Sequence, residues 1–279
     1  MIPFDFVYLR PDTAAQAVQA HREFSLAGRT ALYYAGGSEI ISMSRVGAIR
    51  PDAVIDIKRV PECNALSADA EGLVIGAALS LHRIKESNCF PLLTLACGRI
   101  ADHTNQCRIT LGGNLCGTIA YRETCLPLLL SEASVSLYGP EGCRTVPFDA
   151  VFRGRMRLAP GELVVSVRVP AWAPGARHAH IKITANEKID YPLVNVTALW
   201  KGDALRVAFS GLAENPLRSP AVEAALNDRR ACAEDRAAAA ARLLAGEAHG
   251  DAKGSKEYRL YVVKNALRQL VEDWEHGAL

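Results

Sequence analysis

The chain has 279 residues, of which 49% are hydrophobic and 22% are charged, so it can bury a sizeable core and is not a disordered protein. Its 32 Lys and Arg residues against 30 Asp and Glu residues give a net charge of +2, which offers no reason to expect nucleic acid or a membrane surface as a partner. The opening MIPFDFVYLRPD lacks the basic start and long apolar segment of a signal peptide, and no apolar run is long enough for a membrane span. We therefore expect a cytoplasmic protein.

Residues 1–57 have the pattern of a small α/β unit. FDFVYL alternates as a strand does, and Thr13 is placed to cap a helix over residues 14–26. ALYYA predicts a second strand, SEIISMSRVGAI a short helix, and DAVIDI a buried third strand.

Residues 58–172 predict a second α/β unit. GLVIGAALS predicts a strand that bends at Gly76, and Ser80 is placed to cap the helix that follows. PLLTLACGRIA and CLPLLLSEA predict helices, whereas SVSLYG and ELVVSVRVP predict strands.

Residues 173–279 predict a C-terminal α+β domain. Three strand-like stretches, HIKIT, LVNVTALW and ALRVAFSGL, precede helices that begin after Ser219, near residue 231 and after Ser255. The predicted fold class is therefore α+β, with two small α/β subdomains (1–57 and 58–172) followed by this domain.

Two glycine pairs stand out, in YYAGGSEI and in ITLGGNLCG. Glycine allows positive φ and the close approach of another group, and successive backbone N–H groups in such a turn bind anionic oxygen. Neither pair belongs to a G-x-G-x-x-G fingerprint or a P-loop. Two such turns far apart in sequence suit a pyrophosphate held between separate loops.

The eight cysteines include no Cys-x-x-Cys pair. Cys107, Cys116 and Cys125 are spaced nine residues apart, whereas the cysteines that bind iron–sulfur clusters stand closer together. None of the seven histidines falls in a ligand pattern with another histidine, a cysteine or a carboxylate. We therefore expect free thiols and no metal site.

The motifs identify a resemblance. AGGSEI resembles A-G-G-(T/S)-(D/E)-(L/I), and TLGGNLCG resembles T-(I/L)-G-G-N-(L/I), of the flavin-binding medium subunit of molybdenum hydroxylases. This is the xanthine dehydrogenase, carbon monoxide dehydrogenase and nicotinate dehydrogenase group, within the vanillyl-alcohol-oxidase-like FAD fold. The resemblance covers nearly the whole chain in order, and further matching blocks are IRPDAVIDIKRVPE, LVIGAALSLHRI, GCRTVPFDAVFRG, PGELVVSVRVP, SGLAENPLRSPAVEAAL and GSKEYRLYVVKNAL.

The resemblance implies non-covalently bound FAD. The first glycine segment would hold the pyrophosphate, and the second would lie near the flavin side. By motif position, the implied cofactor contacts are Tyr34, Ala35, Gly36, Gly37, Ser38, Glu39, Ile40, Thr104, Arg108, Thr110, Gly112, Gly113, Asn114, Glu123 and Lys182.

The chain departs from the family pattern at three places. Glu123 stands where members usually carry Asp near the ribityl hydroxyls, and Gln106 stands where Arg is common. The segment GTIAYRET lacks the Ser-Pro or Asp-Pro step often found there. These changes put the edge of the pocket and its flavin affinity in question.

The resemblance also implies a function. The flavin would receive electrons from iron–sulfur clusters of a small partner subunit, in a complex with a large molybdenum-cofactor subunit, and pass them to NAD, a quinone or another acceptor. The isoalloxazine does the redox work, so no catalytic acid–base residue is required. The alternatives are a free-standing FAD-dependent oxidase or dehydrogenase acting on a small organic substrate, and a scaffold protein that has lost its flavin.

Overall fold

A computed structural model of the protein describes residues 2–186 and 189–277. These residues form two compact units. The first unit contains residues 2–87, 103–117 and 132–171, and the second contains the rest. Among the described residues, no helix combines the length and apolar character needed to cross a membrane.

The strands, in chain order, are β1 (Val7–Leu9), β2 (Ala31–Tyr34), β3 (Ala53–Asp56), β4 (Leu66–Asp69), β5 (Gly72–Gly76), β6 (Ser134–Gly139), β7 (Gly142–Pro147), β8 (Leu163–Pro170), β9 (His178–Thr184), β10 (Pro192–Lys201), β11 (Ala204–Ser210) and β12 (Leu217–Arg218). The helices are α1 (Ala14–Leu26), α2 (Ser38–Arg45), α3 (Leu81–Ser87), α4 (Pro91–Gly98), α5 (His103–Gln106), α6 (Leu111–Cys116), α7 (Cys125–Leu130), α8 (Phe148–Val151), α9 (Pro220–Leu226), α10 (Ala233–Leu244) and α11 (Lys256–Glu275).

The first unit begins with a parallel sheet of order β1-β3-β2. Its helix α1 starts at the predicted cap, where the Thr13 hydroxyl accepts from the Gln16 amide. Every residue of the central strand β3 is buried, as a parallel strand covered on both faces requires.

The second sheet of this unit is antiparallel, with order β4-β5-β8-β6-β7. Its strand β8 contributes Leu163 and Val165 to a buried cluster that also contains Ala17 and Ile55 of the first sheet's layer. The two sheets therefore share one hydrophobic core, which fixes the loops at the ends of their strands.

The second unit is built on an antiparallel sheet of order β12-β11-β10-β9. Nine of the ten residues of β10 are buried, so both faces of this strand are covered. Its core contains Val196 and Trp200 of β10, Leu226 of α9 and Val263 of α11.

The segments that carry α4 and α7 belong to the second unit, although they precede residue 172 in the chain. Every residue of α7 is buried, and its last carbonyls accept from arginines of this unit. Arg206 Nη1 donates to the Leu130 carbonyl at 3.0 Å, and Arg218 Nη1 donates to the Leu129 carbonyl at 3.1 Å. These bonds satisfy carbonyls that a helix end leaves unpaired.

Several local features differ from the sequence-based prediction. The second glycine pair lies inside the short helix α6, not in an open turn. Helices α4 and α7 end earlier than expected, at Gly98 and Leu130, because Ala101 and Glu132 adopt positive φ angles of 51° and 57° that a helix cannot accommodate. The strands β4 and β12 were missed because their residues are mostly exposed or half-buried and show no apolar alternation.

Candidate cofactor-binding site

The first glycine pair forms a tight turn between β2 and α2. Gly37 is the residue before α2 and has φ 70° and ψ 0°, the left-handed conformation that glycine adopts without strain. A Cβ built on Gly37 would lie 2.2 Å from the Tyr34 ring. A Cβ on Gly36 would lie 1.8 Å from the carbonyl oxygen of Arg108. Backbone therefore excludes a side chain at Gly36, whereas at Gly37 the positive φ disfavours one and the Tyr34 ring would have to move to admit it.

Helix α2 begins directly after Gly37, without a side-chain cap. The first amides of a helix have no acceptor within it. Among the described residues, the buried Ser38 hydroxyl also has no hydrogen-bond partner. A hydroxyl at the positive end of a helix dipole is suited to a phosphate oxygen. These residues fit the pyrophosphate of FAD.

A lysine outside the motif positions holds this turn. Lys58 Nζ donates to the Ala35 carbonyl at 3.1 Å and to Asp56 Oδ2 at 2.7 Å, and it lies 4.5 Å from the centre of the Tyr34 ring. Asp56 also accepts a hydrogen bond from the Tyr8 hydroxyl. Lys58 lies in the segment IRPDAVIDIKRVPE, which matches the family pattern but was not expected to contribute to the site. The order Asp56, Ile57, Lys58 at a strand end was the available signal.

Asp56 is charged despite its burial. Burial acts to raise the pKa of Asp56, but the hydrogen bonds from Lys58 and Tyr8 outweigh it and leave the pKa below its ordinary value. The hydrogen bond to Asp56 in turn raises the pKa of Tyr8. The charged Asp56 carboxylate, which accepts from Lys58 and Tyr8, thus supports the turn through Lys58.

The second glycine pair has a different structure from the anion-binding turn that the sequence predicted. The amides of residues 111–114 all donate within the protein, to the Leu79 carbonyl, the Ala77 carbonyl and twice to Thr110. A Cβ built on Gly112 would lie 2.8 Å from the Ala77 Cβ. The expected nest of free amides is therefore absent here, because these donors already have protein acceptors. Gly112 allows α6 to pack closely against the segment after β5.

The two glycine segments lie next to each other in the first unit. Gly36 lies against the Arg108 carbonyl. The Glu39 carboxylate lies beside Gly117 at the end of α6, 2.8 Å from where a Cβ on that glycine would be. Thr104 and Arg108 are exposed, whereas Gln106, at the position where the family commonly has Arg, is buried. The first glycine turn and the segment 108–117 thus adjoin in this unit.

The predicted contacts Glu123 and Lys182 form a buried ion pair in the second unit. Lys182 Nζ donates to Glu123 Oε1 at 2.8 Å and to the Arg99 carbonyl at 2.6 Å. Asn195 Nδ2 donates to Glu123 Oε2 at 2.8 Å and lies 3.2 Å from His180 Nε2. Both oxygens of the Glu123 carboxylate therefore have partners within the protein.

Burial controls the ionisation of this cluster. It raises the pKa of Glu123, against the opposing effect of Lys182. Burial, with the positive charges of Arg99 and Lys182, lowers the pKa of His180 to about 3, so this imidazole is neutral near neutral pH.

Family comparison agrees with this geometry. Residues 3–172 match the FAD binding domain in molybdopterin dehydrogenase, and residues 179–274 match the CO dehydrogenase flavoprotein C-terminal domain. The chain is 29% identical to the carbon monoxide dehydrogenase medium chain of Hydrogenophaga pseudoflava, covering 96% of this chain and 97% of that one. It is 24% identical to the xanthine dehydrogenase FAD-binding subunit of Escherichia coli O157:H7, covering 97% and 96%.

Solved structures share the fold. Quinoline 2-oxidoreductase from Pseudomonas putida 86 gives a TM-score of 0.84 at 25% identity, covering 99% of this chain and 98% of that chain. Carbon monoxide dehydrogenase from Hydrogenophaga pseudoflava gives 0.81 at 29% identity, covering 96% of each chain. Since the FAD-domain match spans more than half of the chain, the protein belongs to the family of FAD-binding domains of molybdopterin dehydrogenases and is an FAD-binding medium subunit of the molybdenum hydroxylase type.

Proposed function

We propose that this chain is the electron-transfer subunit of a multi-subunit molybdenum hydroxylase. It receives electrons from the iron–sulfur clusters of a small partner subunit, in a complex with a large molybdenum-cofactor subunit, and passes them to NAD, a quinone or another acceptor. The bound FAD supplies the redox chemistry. The chain's own residues bind that group and orient it.

The observation that carries the proposal is the start of α2. Gly36 and Gly37 allow the backbone of the turn to approach the Arg108 carbonyl and the Tyr34 ring. The buried Ser38 hydroxyl has no hydrogen-bond partner among the described residues. In the proposed role, the amides at this turn and the Ser38 hydroxyl hold the pyrophosphate oxygens. Lys58 keeps the Ala35 carbonyl turned away from the anion through their 3.1 Å hydrogen bond.

The remaining contacts are proposed from motif position. In the first unit these are Tyr34, Glu39, Ile40, Thr104, Arg108, Thr110, Gly112, Gly113 and Asn114. In the second unit they are Glu123 and Lys182, whose mutual hydrogen bond of 2.8 Å fixes the carboxylate and the ammonium in one arrangement.

A substitution at Ser38 tests the pyrophosphate site. A hydrogen bond to a charged group contributes about 1.5–3 kcal/mol, so Ser38→Ala should weaken FAD binding by about tenfold or more. Ser42→Ala is the matched control, since its hydroxyl donates to the Ser38 carbonyl on the exposed side of the same helix. Titration of apoprotein with FAD measures both. Equal affinities in the two variants would reject this assignment.

Electron transfer is tested with the purified single chain loaded with FAD. Chemically reduced protein should pass electrons to quinones or dyes, whereas N-heterocycles, aldehydes and carbon monoxide should not be oxidised without partner subunits. Substrate turnover at about 1 per second or faster by the single chain would favour the free-standing oxidase instead. A protein that takes up no FAD would favour the scaffold.

A further inference from the structure

A cluster of metal-ligating side chains lies outside the residues assigned to the cofactor. One ligand atom each of His82, His103 and Cys107 lies within 4.8 Å of the other two. Cys107 Sγ is 3.8 Å from His103 Nε2. The imidazole rings of His82 and His103 meet edge to face, with centroids 4.7 Å apart and planes at 87°. Three potential ligands from two parts of the sequence thus converge on one point of the first unit.

The backbone places these residues rigidly. His103 and Cys107 stand four residues apart around α5, which puts them on one face of the helical turn, and the Cys107 amide donates to the His103 carbonyl at 3.0 Å. His82 lies in the first turn of α3. The two segments are joined beside the cluster, where the Leu81 amide donates to the Ile109 carbonyl at 2.8 Å.

The spacing suits a tetrahedral ion. With Zn–S near 2.3 Å and Zn–N near 2.0–2.1 Å, the sulfur and nitrogen ligands of tetrahedral zinc are about 3.5 Å apart, close to the observed separation of Cys107 and His103. Among the described residues, the buried His82 Nδ1 has no hydrogen-bond partner, and the nearest carboxylate oxygen, of Glu86, is 3.9 Å from it. A ligating histidine commonly directs its second nitrogen to a carboxylate, and a small movement of the exposed Glu86 would supply that contact.

The chemical types of the three ligand atoms also indicate which ion would bind. One thiolate and two imidazoles are typical ligands of zinc, whereas calcium and magnesium prefer oxygen ligands. We propose that His82, His103 and Cys107 bind one zinc ion, with water completing the coordination. No metal site was expected from the sequence, because the histidines are scattered and His82 lies far upstream of His103 and Cys107.

Zinc at this position would tie α3 to α5. The tied segment, 103–108, ends at Arg108, whose carbonyl lies against Gly36. The ion would therefore brace the backbone on which the first glycine turn rests, including the segment that carries Thr104 and Arg108.

Metal binding to the untagged, full-length, FAD-loaded protein tests the proposal. Equilibrium dialysis against zinc, followed by elemental analysis, should give one bound ion per chain. Cobalt in its place should show thiolate-to-cobalt charge-transfer absorption, which reports a Cys ligand directly. Zinc should also raise the thermal midpoint, because the folded chain brings all three ligands together and binds the ion more tightly than the unfolded chain does.

Cys107→Ser and His103→Ala replace exposed side chains, so folding should survive both changes. Loss of outer-shell partners costs about 10–100-fold in metal affinity, and loss of a ligand should cost at least about tenfold. Each variant should also lose the charge-transfer band and the thermal shift. Cys143→Ser and His276→Ala, at other exposed positions, should leave all three readouts unchanged. Absence of stoichiometric zinc, or equal binding in the Cys107 and Cys143 variants, would overturn the site.

Discussion

The carbonyl oxygen of Arg108 lies 1.8 Å from the place where a side chain on Gly36 would begin. No real Cβ approaches an oxygen so closely, so the turn after β2 and the segment before α6 fit together only if residue 36 has no side chain. The first glycine of the AGGSEI motif is therefore explained by a neighbouring backbone, independently of any ligand.

Replacement of Gly36 by alanine should displace this turn or the residue-108 segment. Because the obstacle is backbone and cannot rotate away, we expect the FAD content of Gly36→Ala to fall by tenfold or more, and its thermal midpoint to fall. Gly175→Ala is the control, since a Cβ there has nothing within 4 Å. Absorbance of released flavin and a thermal melt measure both. A Gly36→Ala protein with full flavin content would contradict the packing described here.

Gly37→Ala tests the conformation of the second glycine. Residue 37 has φ +70° and residue 47 has φ +74°, and a left-handed conformation costs an alanine about 1–2 kcal/mol at either position. Only at Gly37 would the added methyl meet a ring, that of Tyr34, whereas the space around Gly47 is open. Gly37→Ala should therefore lose at least as much stability as Gly47→Ala, and only Gly37→Ala should lose FAD affinity in a flavin titration. Equal flavin binding by the two proteins would remove residue 37 from the site.

Lys182→Met should be strongly destabilising. It would leave the buried carboxylate of Glu123 without its cation, and breaking a buried ion pair from one side costs about 3–5 kcal/mol. The double variant Lys182→Met with Glu123→Gln should recover part of that loss, because no buried charge is left unpaired. Denaturant unfolding of the single and double variants measures the recovery. If the double variant is no more stable than Lys182→Met, the two residues are not coupled as the 2.8 Å contact indicates.

His180 should make the protein less stable in acid. Its pKa is lowered from 6.5 to about 3 in the folded chain, first by burial, so below pH 6.5 the unfolded chain binds the proton more readily than the folded chain. The stability contributed by neutral His180 is therefore present above pH 6.5 and is lost as the pH falls toward 3, by about 1.4 kcal/mol per pH unit. The free energy of unfolding of wild type minus that of His180→Gln, followed from pH 7 to pH 4.5, should fall at this rate. A difference that stays constant over this range would show that His180 is accessible to protons in the fold.

Arg259 belongs to the GSKEYRLYVVKNAL motif, and its role there is structural. Its guanidinium is fully buried in α11 and donates to the Leu193 and Gly211 carbonyls and to Asp251. Arg259→Met should lower the free energy of unfolding by about 3–5 kcal/mol, because Asp251 and two carbonyls would lose their partner. Arg268→Met, at a half-exposed position of the same helix, should cost about 1 kcal/mol or less. Denaturant titration measures the stability of both variants. Comparable losses of stability would contradict this interpretation.

The sequence predicted the elements whose signals are local. Thr13, Ser219 and Ser255 all cap helices where expected, because a cap is a property of three or four adjacent residues. The AGGSEI motif likewise predicted the turn at Gly37. The fold class followed from the order of strands and helices, and the family followed from motifs spread over nearly the whole chain.

What the sequence could not show depends on contacts between distant residues. The acceptors of the Leu111 and Gly112 amides, Leu79 and Ala77, lie far upstream in the sequence, so TLGGN resembled an open anion-binding turn. The partnership of Glu123 with Lys182 and the convergence of His82 on Cys107 depend equally on the tertiary fold. Lys58 was missed because a lysine after a strand is ordinary until its acceptor, the Ala35 carbonyl, is known.

The placement of α7 in the second unit affects how the protein is synthesised. All six residues of this helix, CLPLLL, are buried, and strands β10 and β11, which pack against it, are translated later. The emerging chain therefore exposes an apolar helix that has α4 beside it but lacks the surface of β10 and β11 until translation reaches Ser210. A fragment ending near residue 172, although it contains the complete FAD-domain match, would carry this helix uncovered and should aggregate, whereas the whole chain buries it.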